Sequence, residues 1–178
     1  MNDFYIKGKK KKIAVPRPEL AEAPAQMLDW NEPHETYGLA DGNSFYNSCE
    51  TIYLPHLRDT PLVTCSNGDG CLIALNPQAK ALGLKMGTPR YEVDQFMKDN
   101  GVTWFSSCYE LYGAVSSRMM MHFSKYVPGL YVYSIDEAFF RLTGWNNFPD
   151  LGRRIIAEPA MCIRMPICFG VAPSKSPA

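Results

Sequence analysis

Two adjacent carboxylates interrupt an apolar run, Leu130-Tyr-Val-Tyr-Ser-Ile-Asp136-Glu137-Ala-Phe-Phe140. Neighbouring charges are costly to bury unless a cation or hydrogen bonds compensate them. No Lys or Arg lies between Gly129 and Phe140 to pair with them locally. An oxygen-liganded divalent metal is the natural partner, and phosphoryl chemistry the natural reaction. A third acid, Asp41, stands in Gly38-Leu-Ala-Asp41-Gly-Asn-Ser-Phe-Tyr46. A carboxylate at a strand end, followed by glycine and a helix start, leaves backbone N–H groups free to receive phosphate. A second reading of Asp136 and Glu137 is a surface hairpin with two solvated acids. The residues alone leave both open, because adjacent strand residues point to opposite faces. The pair converges on one metal only if the chain turns there.

The elements that must position these acids read as alternating strands and helices from residue 37 onward. Residues 37–41 form a short strand and 44–52 a helix, with Asn43 or Ser44 as cap. Strands over 61–65 and 71–75 are joined by Ser66-Asn-Gly-Asp-Gly70, a strong turn signal. A short helix over 78–82 ends at Gly83, and a second covers 89–99. The longest helix spans 109–125, where Leu111, Val115, Met119 and Phe123 recur on one face. The cluster Met119 to Met121 reads as core filler. Strands over 130–135 and 138–142 flank the acidic pair. A helix starts at 151–157 and is cut short by Pro159. A last strand covers 166–171. This order predicts an α+β domain with a mixed or antiparallel sheet, not a doubly wound one.

Composition narrows the classes further. The chain has 178 residues and a formal net charge of zero, without the basic excess usual in autonomous nucleic-acid binders. Its 46% hydrophobic content suits a globular core. The six cysteines form no CxxC pair and read as reduced thiols of a cytoplasmic protein. No apolar run approaches the ~20 residues of a membrane span. Residues 1–36 differ from the rest. The first 18 carry five Lys, one Arg and one Asp, and residues 19–36 carry five acids and no Lys or Arg. That pattern reads as a flexible, self-neutralising tail. Its alternative is a contact from Lys9 to Lys12 to nucleic-acid phosphate.

Five motifs in order carry a family resemblance. They are Asp41-Gly-Asn-Ser-Phe-Tyr-Asn-Ser-Cys-Glu50, Ser66-Asn-Gly-Asp-Gly-Cys71, Ala79-Lys-Ala-Leu-Gly-Leu-Lys-Met-Gly87, Phe105-Ser-Ser-Cys-Tyr-Glu-Leu-Tyr112 and Tyr133-Ser-Ile-Asp-Glu-Ala-Phe139. Together they resemble the N-terminal half of the UmuC-like, Y-family translesion DNA polymerases, from about residue 37 to 175. The resemblance implies a palm-like sheet with helices on one face and a small fingers lobe over about residues 55–105. It implies that Asp41, Asp136 and Glu137 hold two Mg²⁺ ions. Tyr46 matches the steric gate that clashes with a ribose 2′-hydroxyl. Phe45 and Tyr46 would present backbone N–H groups to the triphosphate, and Lys80 and Lys175 would contact it as point charges. The implied substrates are primer-template DNA and a dNTP, in error-prone SOS damage tolerance. A UmuD-like accessory subunit is the implied partner, and no membrane is involved.

The family pattern continues past Lys175 into a thumb and a little finger, whereas this sequence stops at Ala178. The expectation is a catalytic core complete in its metal site and weak in DNA grip. A catalytically deficient remnant or a regulatory partner of the error-prone polymerase is the alternative. A metal-dependent nucleotidyl cyclase shares the palm and the acids, but the Phe45-Tyr46 and Ser66–Cys71 motifs argue against it.

Overall fold

The computed structural model describes residues 36–145 and 147–172, together with the backbone of two N-terminal strands. Those strands, β1 (Asp3–Ile6) and β2 (Lys9–Lys12), pair antiparallel, with Asp3 opposite Lys12. They belong to a unit of their own, residues 1–33. The remainder of the tail expected over 1–36 lies almost wholly outside the described residues.

The second unit begins with β3 (Tyr37–Gly42), which leads through Asn43 and Ser44 into α1 (Phe45–Thr51). A 3₁₀ turn (Pro55–Leu57) connects α1 to β4 (Leu62–Cys65), β5 (Leu72–Leu75) and α2 (Pro77–Ala81). Then come α3 (Arg90–Asp99), β6 (Thr103–Ser106) and α4 (Tyr109–Phe123). The chain closes with β7 (Leu130–Val132), β8 (Glu137–Arg141), α5 (Phe148–Cys162) and β9 (Ile167–Ala172).

Two sheets result. The larger has the order β7-β8-β3-β9 and is antiparallel throughout. The smaller, β5-β4-β6, is mixed: β4 pairs antiparallel with β5 and parallel with β6. The fold is therefore α+β with an antiparallel and a mixed sheet, as the element order implies.

Strand alternation assigns the faces of the larger sheet. Ala40, Ala138 and Phe140 are fully buried and share one core with Phe45 and Cys49 of α1, Val115, Met119 and Phe123 of α4, and Leu151 and Ile155 of α5. The periodic face of α4 thus packs where its four-residue spacing puts it. Of the methionine cluster, Met119 and Met120 are core, while Met121 is 51% exposed. Asp41 and Glu137 have the opposite parity on β3 and β8 and lie on the other face. A second core fills the smaller lobe, from Val63, Cys65, Leu72, Leu75 and Met97.

One expectation needs correction, and one element goes unread. The last helix does not stop at Pro159 but runs from Phe148 to Cys162. A side-chain cap is supplied at its start by Asn147, whose side-chain oxygen accepts from the Asp150 N–H at 3.2 Å. Pro159 removes one ladder N–H, yet its ring is buried and its carbonyl accepts from Ile163 N–H at 3.0 Å and Met165 N–H at 3.3 Å. Packing and those closing bonds carry the helix past the proline. Strand β6 is an element that the sequence reading does not include. Four residues give little pattern of their own, and β6 is defined by its parallel partner β4. Among the described residues no helix is long and apolar enough to cross a membrane.

Candidate active site

The chain does turn at the acidic pair. Strand pairing ends at Val132 opposite Ala138, and the N–H groups of Tyr133 and Ser134 both donate to the Glu137 carbonyl, at 3.0 and 3.2 Å. The Ser134 hydroxyl accepts from the Asp136 and Glu137 N–H groups at 3.3 and 3.0 Å, and donates to Asp136 Oδ1 at 2.7 Å. One serine thus fixes the turn and orients the first acid.

Register then brings in the third carboxylate. Asp41 stands directly opposite Glu137 across β3 and β8. Asp136 lies just beyond that pair, where its carbonyl accepts from the Gly42 N–H at 3.0 Å. Gly42 has a local reason. A Cβ there would stand 2.9 Å from Phe45 Cδ2 and 3.5 Å from Asp136 Cβ. Burial pushes the Asp41 carboxyl above its usual range, and the charges of Asp136 and then Glu137 push it further. Among the described residues, the charges acting on it are those two acids. Register and mutual charge thus put the three acids near one end of the sheet.

Hard carboxylate donors with mutual, uncompensated repulsion fit a divalent cation in kind. Among the described residues no three of His, Cys, Asp or Glu already converge in ligating geometry. The structure brings the acids together without closing a cage.

Helix α1 starts beside these acids. Ser44 occupies its N-cap in the left-handed region (φ 46°), and its side chain makes no capping hydrogen bond. The cap expected from Asn43 or Ser44 is a matter of position only. Asn43 N–H donates instead to Pro166 O at 2.9 Å, and the Ser48 hydroxyl donates to Asn43 O at 2.7 Å. The first N–H groups of a helix, here those of Phe45 and Tyr46, have no intrahelical acceptor. Phe45 itself is 4% exposed and belongs to the core, so only its backbone is available.

Tyr46 is partly exposed and lies on an aromatic base. Its ring stacks on Tyr112 of α4 at 4.6 Å and 30°, and meets Tyr109 edge-on at 6.2 Å. Burial holds its hydroxyl pKa above the ordinary value, with Tyr109 and Asp136 acting in the same direction. Lys80 is exposed on α2 and is not among the groups that act on Asp41. Lys175 lies outside the described residues.

Sequence reasoning missed three features around this site. Tyr112 donates to Glu50 Oε1 at 2.7 Å, tying α4 to α1. Asn47 is buried and ties α1 to β4: its Nδ2 donates to Leu62 O at 3.1 Å, and its Oδ1 accepts from Thr64 Oγ1 at 2.6 Å. Exposed Cys168 stands opposite Asp41 on β9. The i, i+3 spacing of Tyr109 and Tyr112 and the i, i+4 spacing of Tyr46 and Glu50 were the available signals.

Known proteins are similar to this chain in sequence and fold. Residues 40–178 match the model of the impB/mucB/samB family. The chain is 43% identical over 143 residues to the protein UmuC of Salmonella typhimurium, covering 79% of this chain and 34% of that protein. It is 29% identical over 146 residues to a DNA polymerase IV of Metallosphaera sedula, covering 77% of this chain and 41% of that one. Among solved structures, an insertion ternary complex of Dbh DNA polymerase matches with a TM-score of 0.72 at 27% identity, over 79% of this chain and 43% of that one. A crystal structure of DinB from Sulfolobus solfataricus matches with a TM-score of 0.69 at 27% identity, over 79% of this chain and 42% of that one. The chain spans about a third of the length of the UmuC-type relatives it matches. With this family match over most of its length, the chain belongs to the impB/mucB/samB family and is similar in sequence to UmuC and in fold to Y-family DNA polymerases.

Proposed function

We propose that this chain provides the palm and fingers of an error-prone, DNA-directed DNA polymerase that extends primers past damaged template bases in SOS damage tolerance. Residues 37–178 would form the catalytic domain, with fingers over about 55–105 and a separate tail over 1–36. The observation that carries this reading is the β3–β8 register, which sets Asp41 against Glu137 beside Asp136, with Tyr46 at the head of the adjoining helix.

Asp41, Asp136 and Glu137 are the residues that would hold two Mg²⁺ ions. When bound, such ions lower the pKa of a primer 3′-hydroxyl and neutralise charge on the leaving pyrophosphate. The chain's own residues bind and orient. The free N–H groups of Phe45 and Tyr46 suit triphosphate oxygens. Lys80 and Lys175 are proposed as further phosphate contacts, a reading that family likeness supports. The Tyr46 ring would lie under the sugar and exclude a ribose 2′-hydroxyl. The substrates would be primer-template DNA and a dNTP, the setting cytoplasmic, and a UmuD-like subunit the accessory partner.

Single-nucleotide extension of a primer on an abasic template in Mg²⁺ tests the reading. Incorporation should fall at least about a hundredfold in Asp41→Asn, the scale of losing a main electrostatic contributor to the transition state. Tyr46→Ala should admit ribonucleotides. Incorporation that is insensitive to Asp41→Asn would overturn the proposal.

A further inference from the structure

Tyr46 and Glu50 lie one turn apart on one face of α1, and both meet Tyr112 of α4. Tyr112 stands between them with no exposed surface. Its ring carries Tyr46 at 4.6 Å, and its hydroxyl donates to Glu50 Oε1 at 2.7 Å. The three side chains close a triangle across the α1–α4 seam.

Each side of that triangle constrains something different. Ring stacking is soft to sliding within the plane of the rings. A short hydrogen bond to a carboxylate is strong and directional. Glu50, together with a second side-chain hydrogen bond from Thr64, removes the freedom that stacking leaves to Tyr112. A carboxylate on this seam also carries a desolvation cost: burial pushes the Glu50 carboxyl above its usual range, and the Tyr112 bond opposes that shift. If the seam needed packing alone, an apolar residue would fill it without that cost.

We propose that Glu50 is a positioning residue: through the Tyr112 hydroxyl it fixes the ring on which Tyr46 lies, and so sets how firmly a ribose 2′-hydroxyl is excluded. The role deepens the reading of Tyr46 as a sugar gate and rests on it. Glu50 acts through Tyr112 and not by touching the sugar.

The test uses the whole chain and a binding readout. A dATP labelled on its γ-phosphate is bound in Mg²⁺ and displaced by unlabelled dATP or ATP, giving a deoxy-to-ribo preference. Glu50→Ala and Tyr112→Phe should each lower that preference about threefold to tenfold, the scale of one lost hydrogen bond. Glu50→Gln should retain it, because the amide oxygen still accepts from the Tyr112 hydroxyl. Tyr112→Phe keeps the ring and the core, so it reports even where Glu50→Ala folds poorly. A wild-type preference that disappears in Tyr46→Ala but survives both Tyr112→Phe and Glu50→Ala overturns the positioning role alone. Equal loss in Glu50→Gln and Glu50→Ala also overturns it, because both then act without the hydrogen bond. A wild-type chain that binds both nucleotides equally removes the gate reading and this proposal together.

Discussion

Replacing Asp41 by Asn should make the protein more stable in the absence of divalent metal. Asp41 and Glu137 are directly opposed on antiparallel strands, which sets their Cβ atoms about 5 Å apart. Two like charges at that distance repel by about 0.8 kcal/mol in bulk water, and by about 1.7 kcal/mol at an effective dielectric of about 40. Asp41 is partly exposed, so solvent screening excludes the larger values of a dry interior. Asp136 adds repulsion of the same sign. A net gain of about 1 kcal/mol follows for Asp41→Asn at neutral pH and low salt, or about 2–4 °C in Tm for a chain of this size.

Metal and pH give that prediction its sign tests. A divalent ion that binds only the folded wild type stabilises it by about 1.4 kcal/mol at ten times its Kd, which reverses the order of the two proteins. The folded Asp41 pKa lies above its unfolded value, so the folded state holds the proton more tightly. Wild-type stability then rises relative to the variant as pH falls through the folded pKa toward the unfolded one. Thermal unfolding of both proteins, with and without Mg²⁺, at neutral pH and near pH 4, reads all three effects. A destabilised Asp41→Asn, or equal stabilisation of both proteins by Mg²⁺, would refute the picture of three repelling acids open to a cation.

Three other perturbations probe the supports of the site. Gly42→Ala forces a methyl within 2.9 Å of the Phe45 ring, which is buried and cannot yield, at a cost of about 1–3 kcal/mol in urea unfolding. Gly42→Ala combined with Phe45→Leu should recover part of that loss, and a neutral single variant would contradict the geometry. Asn47→Ala takes the acceptor of the buried Thr64 hydroxyl and one of the two donors to the Leu62 carbonyl, which keeps the Asn76 N–H, costing about 1–3 kcal/mol; a loss below about 0.5 kcal/mol would show that the α1–β4 tie contributes little. Cys168 is exposed on the strand position opposite Asp41, about 5 Å away. A nitroxide attached there, in a Cys162→Ser background, should be broadened by Mn²⁺ in the wild-type site and not in Asp41→Asn; unchanged spectra in both would place the ion elsewhere.

Most of the elements were legible because each carries a local signal. The four-residue recurrence on α4 needs no partner to be read, and Ser66 to Gly70 mark their turn by residue type alone. Pro159 misled because its local rule is sound but subordinate: a buried ring and two bonds to its carbonyl hold the helix together. β6 was illegible for the opposite reason, since its four residues acquire strand character from β4.

The site divides along the same line. The acids were visible as residue types, but their meeting depends on the register of β3 against β8 and on a turn fixed by Ser134. No local pattern encodes that register. Tyr46 and Glu50 could be assigned to one helical face by spacing, whereas the phase of α4 that presents Tyr112 to both is a tertiary fact. Two different supports therefore hold the two halves of the site. Strand register around Gly42 holds the acids, and side-chain contacts between α1 and α4 hold the tyrosine. Damage to the first should change the response to divalent metal while sparing sugar preference in whatever nucleotide still binds. Damage to the second should shift sugar preference while leaving metal stabilisation intact. Variants at Asp41 and at Tyr112 would separate on these two axes if the supports are independent, and would move together if α1 shifts as one body with β3.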